Sequence, residues 1–173
     1  GRGAWIMMQR SFKEKIKDEK MKNEMTKEFI DFYSKNIDRN SVPIDGSIDF
    51  FKWAKSKNIS MAVCTNKQEK LALDLLKKLD IHKYFEYIAG SDTFSYNKPD
   101  PRHLTDVVEL IGGDLKKTIM IGDSEVDATS AHNANLPFVL VRGGYTEKTE
   151  KEIKHDELIS DFRGFEKIIQ KYI

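Results

Sequence analysis

A single cysteine, four prolines and ten glycines in 173 residues set the first limits on this chain. Cys64 has no second thiol to pair with, so an internal disulfide is excluded and a reducing cytoplasm is the expected setting. No apolar run approaches the roughly 18 residues that a membrane span requires. Gly1 to Met8 offers no basic stretch ahead of an apolar core, so a secretory signal is not predicted. An excess of one charge is also missing: 29 Lys and Arg face 28 Asp and Glu, for a net charge of +1. Such a balance exerts no long-range pull toward nucleic acid or anionic membrane, and neither is expected as a partner. Internal repeats and low-complexity tracts are absent as well. What is present, 39% hydrophobic and 33% charged residues, is the composition of a soluble globular protein. The length suits one full domain, or one domain with a small subdomain.

The apolar pattern divides the chain near Pro43. Before it, Trp5, Met8 and Phe12, then Met21, Met25, Phe29 and Phe32, recur at helical spacing with no strand signal. The pattern predicts a helical hairpin over residues 4–39. Its apolar stripe is either helix–helix core or the lining of a substrate pocket. The Lys/Glu-rich stretch from Lys13 to Lys27 is a solvated helix face. Asn40, Ser41 and Pro43 break the pattern. Beyond Pro43, apolar runs alternate with amphipathic stretches. Strands are expected at Ile59–Cys64, Tyr87–Ala89, Thr118–Ile121 and Phe138–Val141, with a marginal fifth at Leu158–Ile159. Helical patterns cover Ile48–Ser56, Lys67–Leu79, Arg102–Ile111, Val126–Asn135 and Phe162–Tyr172. That alternation predicts right-handed βαβ units and a parallel, Rossmann-like α/β sheet. Ligands in such sheets bind beyond the carboxyl ends of the strands.

Three groups of residues fall at such strand ends. Thr65 follows the Ile59–Cys64 run, and with Asn66 it precedes a helix. A hydroxyl there can donate to a phosphate oxygen beside backbone N–H groups. It can equally be a helix cap, a role both residue types favour. Lys98 lies in Tyr96-Asn97-Lys98-Pro99-Asp100-Pro101, where two prolines stiffen the backbone around it. Such a lysine either aims its ammonium at a ligand or is simply solvated. Asp123 ends the Thr118–Ile121 strand, and Asp127 stands one helical turn on, in Gly122-Asp123-Ser124-Glu125-Val126-Asp127. Two carboxylates facing one point need a shared proton or cation. Hard oxygen ligands beside a phosphate suggest Mg²⁺. The alternative is a cap, from Asp123 or Ser124.

The order hydroxyl, Lys-Pro, Gly-Asp-x-x-x-Asp, each at or after a strand end, resembles the haloacid dehalogenase-like hydrolase superfamily from about Pro43 to the C-terminus. Gly122–Ala128 and Val141-Arg142-Gly143-Gly144-Tyr145 are similar to its phosphoglycolate phosphatase branch, and Gly1-Arg2-Gly3 looks like a Gly-x-Gly in that branch's helical cap. The resemblance implies a partial helical cap over residues 1–42 and an α/β core over residues 43–173. It implies that Thr65, Asn66 and Lys98 bind substrate, with Thr65 and Lys98 also catalytic. Asp123 would ligate Mg²⁺ and Asp127 would support that metal site. The implied activity is a Mg²⁺-dependent phosphatase of small phosphorylated metabolites, 2-phosphoglycolate first among them. A sugar-phosphate mutase of the same superfamily would share these motifs.

One motif of the superfamily is not found. Its members carry a strand ending in Asp-x-Asp-x-Thr, whose first Asp attacks phosphorus. Nowhere in this chain are two Asp residues separated by one position. Ile44-Asp45-Gly46-Ser47 follows Pro43 rather than an apolar strand, and is expected to open a helix instead. The expectation is therefore a truncated or processed chain, inactive by itself, with the first strand of the fold lying before Gly1. A non-catalytic remnant that binds phosphate or a partner is the alternative. The resemblance puts the absent strand between the Ile59–Cys64 and Thr118–Ile121 strands, which would stand roughly 9.6 Å apart without it. Unpaired backbone groups kept dry there would cost about 1–3 kcal/mol each. The flanking strands are thus expected to pair directly, or to take in another segment, as in a homodimer formed by strand exchange. The remaining signals are plainer. His82, His103, His132 and His155 show no metal spacing and are expected at the surface. Cys64 reads as a small buried hydrophobe. Arg142 and Tyr145 follow the last clear strand, within reach of a substrate.

Overall fold

The computed structural model of the chain describes residues 19–35, 41–144, 146 and 148–172. Ahead of Pro43 it shows one helix, α1 (Glu19–Lys35). The remainder of the expected hairpin lies outside the described residues.

After Pro43, helices and strands alternate as α2 (Ser47–Ser56), β1 (Ala62–Cys64), α3 (Glu69–Lys78), β2 (Tyr87–Ala89), α4 (Arg102–Leu110), β3 (Met120–Gly122), α5 (Glu125–Asn133), β4 (Phe138–Val141), β5 (Glu157–Ile159) and α6 (Phe165–Ile169). All strand pairs are parallel. α2 opens at Gly46, which takes a left-handed φ of 78°. A Cβ there would stand 2.6 Å from the Arg163 backbone nitrogen, so only glycine fits. Asp45 thus belongs to a turn, and its carbonyl accepts from Phe162 N–H at 2.8 Å.

β4 is the centre of the core. Its four residues are all buried. Val139 and Val141 face a cluster with Phe50, Ala54, Ile159, Phe162, Phe165 and Ile169. Phe138 and Leu140 face another with Leu104, Ala128, Ala131, Leu136 and Ile153. Helices α2 and α6 cover one face, and α4 and α5 the other. Two-sided cover of this kind is why such a strand is apolar throughout.

The strands form two ladders, β1-β2 and β3-β4-β5. Among the described residues no strand pairs with the second edge of β1 or of β3. The expected direct pairing of these two strands is not observed. Their ends are tied instead by a lysine side chain, described below.

The observed elements are shorter than their apolar patterns. β1 begins at Ala62 rather than Ile59, and Ile59 packs against the core while its N–H closes the end of α2 on the Ala54 carbonyl. α6 spans only Phe165–Ile169, because left-handed Gly164 starts it late. The marginal fifth strand is real, and pairs with β4 from Val139↔Glu157 to Val141↔Ile159.

Candidate functional site

Four expected residues follow β1 and β3 on the carboxyl side, and Lys98 draws their surroundings together. Lys98 sits in the connection between β2 and α4 and is only 8% exposed. Its Nζ donates to the Cys64 carbonyl, at the tip of β1, at 2.6 Å. It also donates to Asp127 Oδ1, on α5, at 2.6 Å. One ammonium therefore joins the end of β1 to the helix that follows β3. Its backbone is held in turn, since Asn66 Nδ2 donates to the Lys98 carbonyl at 2.9 Å. The Lys98–Pro99 peptide is cis.

Asp127 is fully engaged. Its second oxygen accepts from Ser124 Oγ at 2.7 Å, from Ser124 N–H at 3.1 Å and from Asp123 N–H at 3.2 Å. Ser124 and Asp127 form a capping box at the start of α5. Burial alone would raise the Asp127 carboxyl; the Lys98 charge and the hydrogen bonds from Lys98, Ser124 and the Asp123 N–H hold it below the usual carboxylate range. The pair is a charge-assisted bond in a dry setting.

Asp123 has the opposite character. It remains exposed to solvent. Its carboxyl nevertheless rises above the ordinary carboxylate value, first because the surrounding protein strips water from it, then because the Asp127 charge repels it. Gly144 lies against its backbone, where an added Cβ would come within 2.1 Å of the Asp123 carbonyl oxygen. Absence of a side chain at Gly144 is thus what lets the loop after β4 close over Asp123.

Thr65 comes directly after β1. Its N–H donates to the Ala89 carbonyl at 2.9 Å, and its hydroxyl accepts from Lys67 N–H at 3.1 Å. The hydroxyl does not cap α3, which starts at Glu69 after an extended Gln68. A cavity of about 340 Å³ is lined by Asn66, Asn97, Lys98, Pro99, Glu125, Val126 and Thr129. A second, of about 590 Å³, opens beside Asp123, with Arg142, Gly143, Gly144 and Lys148 among its walls. Arg142 pairs with Glu150 at 3.2 Å. Tyr145 lies outside the described residues.

The sequence reading missed two features. The Cys64 carbonyl, not its thiol, is what the site uses, and a backbone acceptor leaves no mark in a sequence. His103 was expected at the surface but is 0% exposed. The inner face of α4 buries it, its Nε2 lies 3.1 Å from the Gly90 carbonyl, and it meets Phe94 edge-on. Burial, then the Lys98 charge, holds the imidazole below its ordinary pKa. The signal was available: His103 shares the apolar stripe of α4 with Leu104, Val107 and Val108.

Chemically, the arrangement sets one buried cation and one exposed carboxylate at the rim of a parallel sheet. Among the described residues no group of three or more His, Cys, Asp and Glu gathers around one point. No helix among them is long and apolar enough to cross a membrane.

Known proteins are similar to this chain in sequence and in fold. Residues 6–141 match the family model of the haloacid dehalogenase-like hydrolases. The chain is 37% identical over 164 residues to a phosphoglycolate phosphatase of Mesorhizobium japonicum, covering 94% of this chain and 72% of the relative. It is 38% identical over 178 residues to one of Agrobacterium fabrum, covering 99% of this chain and 76% of the relative. The crystal structure of a predicted phosphoglycolate phosphatase from Haemophilus somnus superposes with a TM-score of 0.89 at 25% identity, over 97% of this chain and 78% of that one.

Proposed function

The chain belongs to the haloacid dehalogenase-like hydrolase family, in its phosphoglycolate phosphatase-like branch, and from that premise we propose a Mg²⁺-dependent phosphatase of small phosphorylated metabolites with 2-phosphoglycolate as the leading substrate. The observation that carries this reading is the linkage from the Cys64 carbonyl through Lys98 and Asp127 to the Asp123 N–H. It gathers a cation and a carboxylate where a parallel sheet binds phosphates. The cytoplasm is the setting that suits such a substrate.

The Thr65 hydroxyl and neighbouring N–H groups would hold phosphate oxygens. Lys98, paired with Asp127, would offset the charge of the phosphoryl group. Asp123 fits Mg²⁺ as a single carboxylate ligand, because that ion keeps several waters and takes one or two carboxylates with the substrate phosphate. Asp127 has both oxygens on protein partners and would support the site by fixing Lys98 and the Asp123 backbone. Bound Mg²⁺ would supply charge neutralisation and orientation of the phosphate.

The family's transfer of phosphate to a carboxylate uses the first Asp of Asp-x-Asp, and this sequence has no such pair. We therefore read the chain as a phosphate-binding core that turns nothing over unaided, a state that a non-catalytic remnant would share. The test compares this chain with one extended N-terminally by a strand ending in Asp-x-Asp-x-Thr, on 2-phosphoglycolate and p-nitrophenyl phosphate at millimolar Mg²⁺. Turnover is expected in the extended chain alone, with a marked loss of Mg²⁺ affinity in its Asp123→Asn variant. No turnover in either chain would favour the remnant. Robust turnover by the short chain, abolished by Asp123→Asn, would overturn the reading of the nucleophile.

A further inference from the structure

We infer that Arg102 is a positioning residue for Lys98: it grips the residues on both flanks of that lysine and so fixes the loop that aims its ammonium. The inference rests on the reading of Lys98 as a phosphate-site cation. Tyr96 and Asp100 stand two residues before and two after Lys98. The Arg102 guanidinium lies 4.2 Å from the Tyr96 ring centroid. The same guanidinium forks onto Asp100, with Nη2 to Oδ2 at 2.7 Å and Nε to Oδ1 at 3.0 Å.

Each flank is also anchored to the helix that matters to it. Tyr96 stacks on Phe94 at 5.6 Å, and its hydroxyl bonds to Asp106 on α4. The Asp100 N–H closes a turn on the Asn97 carbonyl at 2.9 Å. The Asp100 carbonyl accepts from Ser130 Oγ at 3.4 Å, on α5, the helix that carries Asp127. Arg102, at the first turn of α4, thus joins the two halves of a loop whose apex is Lys98. A flexible lysine stem places its charge only as well as its backbone is placed. An exposed pair of charges alone would do little. A planar fork that stacks on one partner while it chelates the other does more, and lysine cannot replace it.

The test is covalent labelling of lysines by an amine-acetylating ester, read by mass spectrometry on the peptide carrying Lys98, with exposed Lys57 as the internal reference. Lys98 in Arg102→Ala is expected to react about fivefold faster relative to Lys57 than in the parent chain. Arg102→Lys is expected to behave like Arg102→Ala, because the fork and the stack are both lost. Tyr96→Leu, which removes one flank only, should fall between parent and Arg102→Ala. Parent-level labelling of Lys98 in Arg102→Ala would overturn the inference, and so would full recovery in Arg102→Lys. The readout requires no turnover, so it is independent of the substrate. Protection of Lys98 by inorganic phosphate in the parent chain tests the phosphate-site reading separately. A faster label without phosphate protection keeps the clamp and removes that reading.

Discussion

β4 is buried along its whole length, whereas β1 is half-buried at all three of its positions. Both are apolar strands of parallel ladders, yet their surroundings differ. β4 has a neighbour on each edge and a helical layer on each face. Among the described residues β1 pairs with β2 alone. Its free end is satisfied by one lysine reaching from the Cys64 carbonyl to Asp127. The difference teaches where the chain keeps its stability and where it keeps its chemistry. The β3-β4-β5 side is held by packing of apolar side chains, none of which titrates. The junction between β1 and β3 is held by a charge, the Lys98 ammonium shared between the Cys64 carbonyl and Asp127.

The comparison would break first on core truncation. Phe138→Ala, at a residue 0% exposed, should cost about 3–5 kcal/mol through lost burial and the cavity left behind. Val63→Ala, in the middle of half-buried β1, should cost only about 1 kcal/mol. Urea unfolding of both variants checks the contrast. Equal losses would mean that β1 is as much a part of the core as β4.

The next effect falls on the junction. Lys98 and Asp127 are each 8% exposed, so removing the cation strands a buried carboxylate. Lys98→Met should cost about 3 kcal/mol, near the lower end for breaking a buried pair. The double variant Lys98→Met/Asp127→Asn should recover part of that loss, since the neutral amide no longer needs a counter-charge. A Lys98→Met variant as stable as the parent, in the same urea titration, would show that packing rather than charge closes the junction.

This division was partly legible in the sequence. Apolar runs located every strand from β1 to β5, most plainly β4, which is buried along its whole length and has no polar position. Lengths were overestimated at Ile59 and Phe162, where apolar residues pack against the core from turns rather than from ladders. At the site, motif spacing brought out Thr65, Lys98, Asp123 and Asp127 as residues at strand ends, but not their partners. The reach of Lys98 to the Cys64 carbonyl depends on how two connections fold back, and spacing along the chain is silent on that. The capping box is written in Ser124-Glu125-Val126-Asp127, and it explains why one Asp127 oxygen turns back to Ser124, while the other is taken by Lys98. Arg102 looked like an ordinary helix residue until its two partners were seen on either side of Lys98.

The smallest effect sharpens the comparison within the site itself, between two carboxylates one helical turn apart. Asp123 is raised by the loss of water to the protein around its carboxyl and by Asp127, whereas Asp127 is lowered on balance by Lys98 and its hydrogen bonds. Their contributions to stability must therefore run in opposite directions with pH. For Asp127, the folded value lies below the unfolded one, about 3.9. Its contribution is fully present above that value and is lost as pH falls through the folded pKa. For Asp123, the folded value lies above about 3.9, so the protonated form is the favoured one in the fold. Its contribution is present below that pH and is lost as pH rises through the folded pKa. Asp123→Asn, measured with EDTA present to keep metal away, should therefore be slightly more stable than the parent at pH 7. The advantage should vanish once the pH drops below about 3.9, where both carboxyls are neutral in the unfolded chain. Asp127→Asn should be destabilised at pH 7, and its deficit should shrink in acid. Asp123 is exposed, and solvent screening keeps its effect small, so thermal melts at closely spaced pH values are the measurement to use. Two variants with the same sign of change at pH 7 would mean that the carboxylates share one environment, and that the contrast between a held Asp127 and an available Asp123 is wrong.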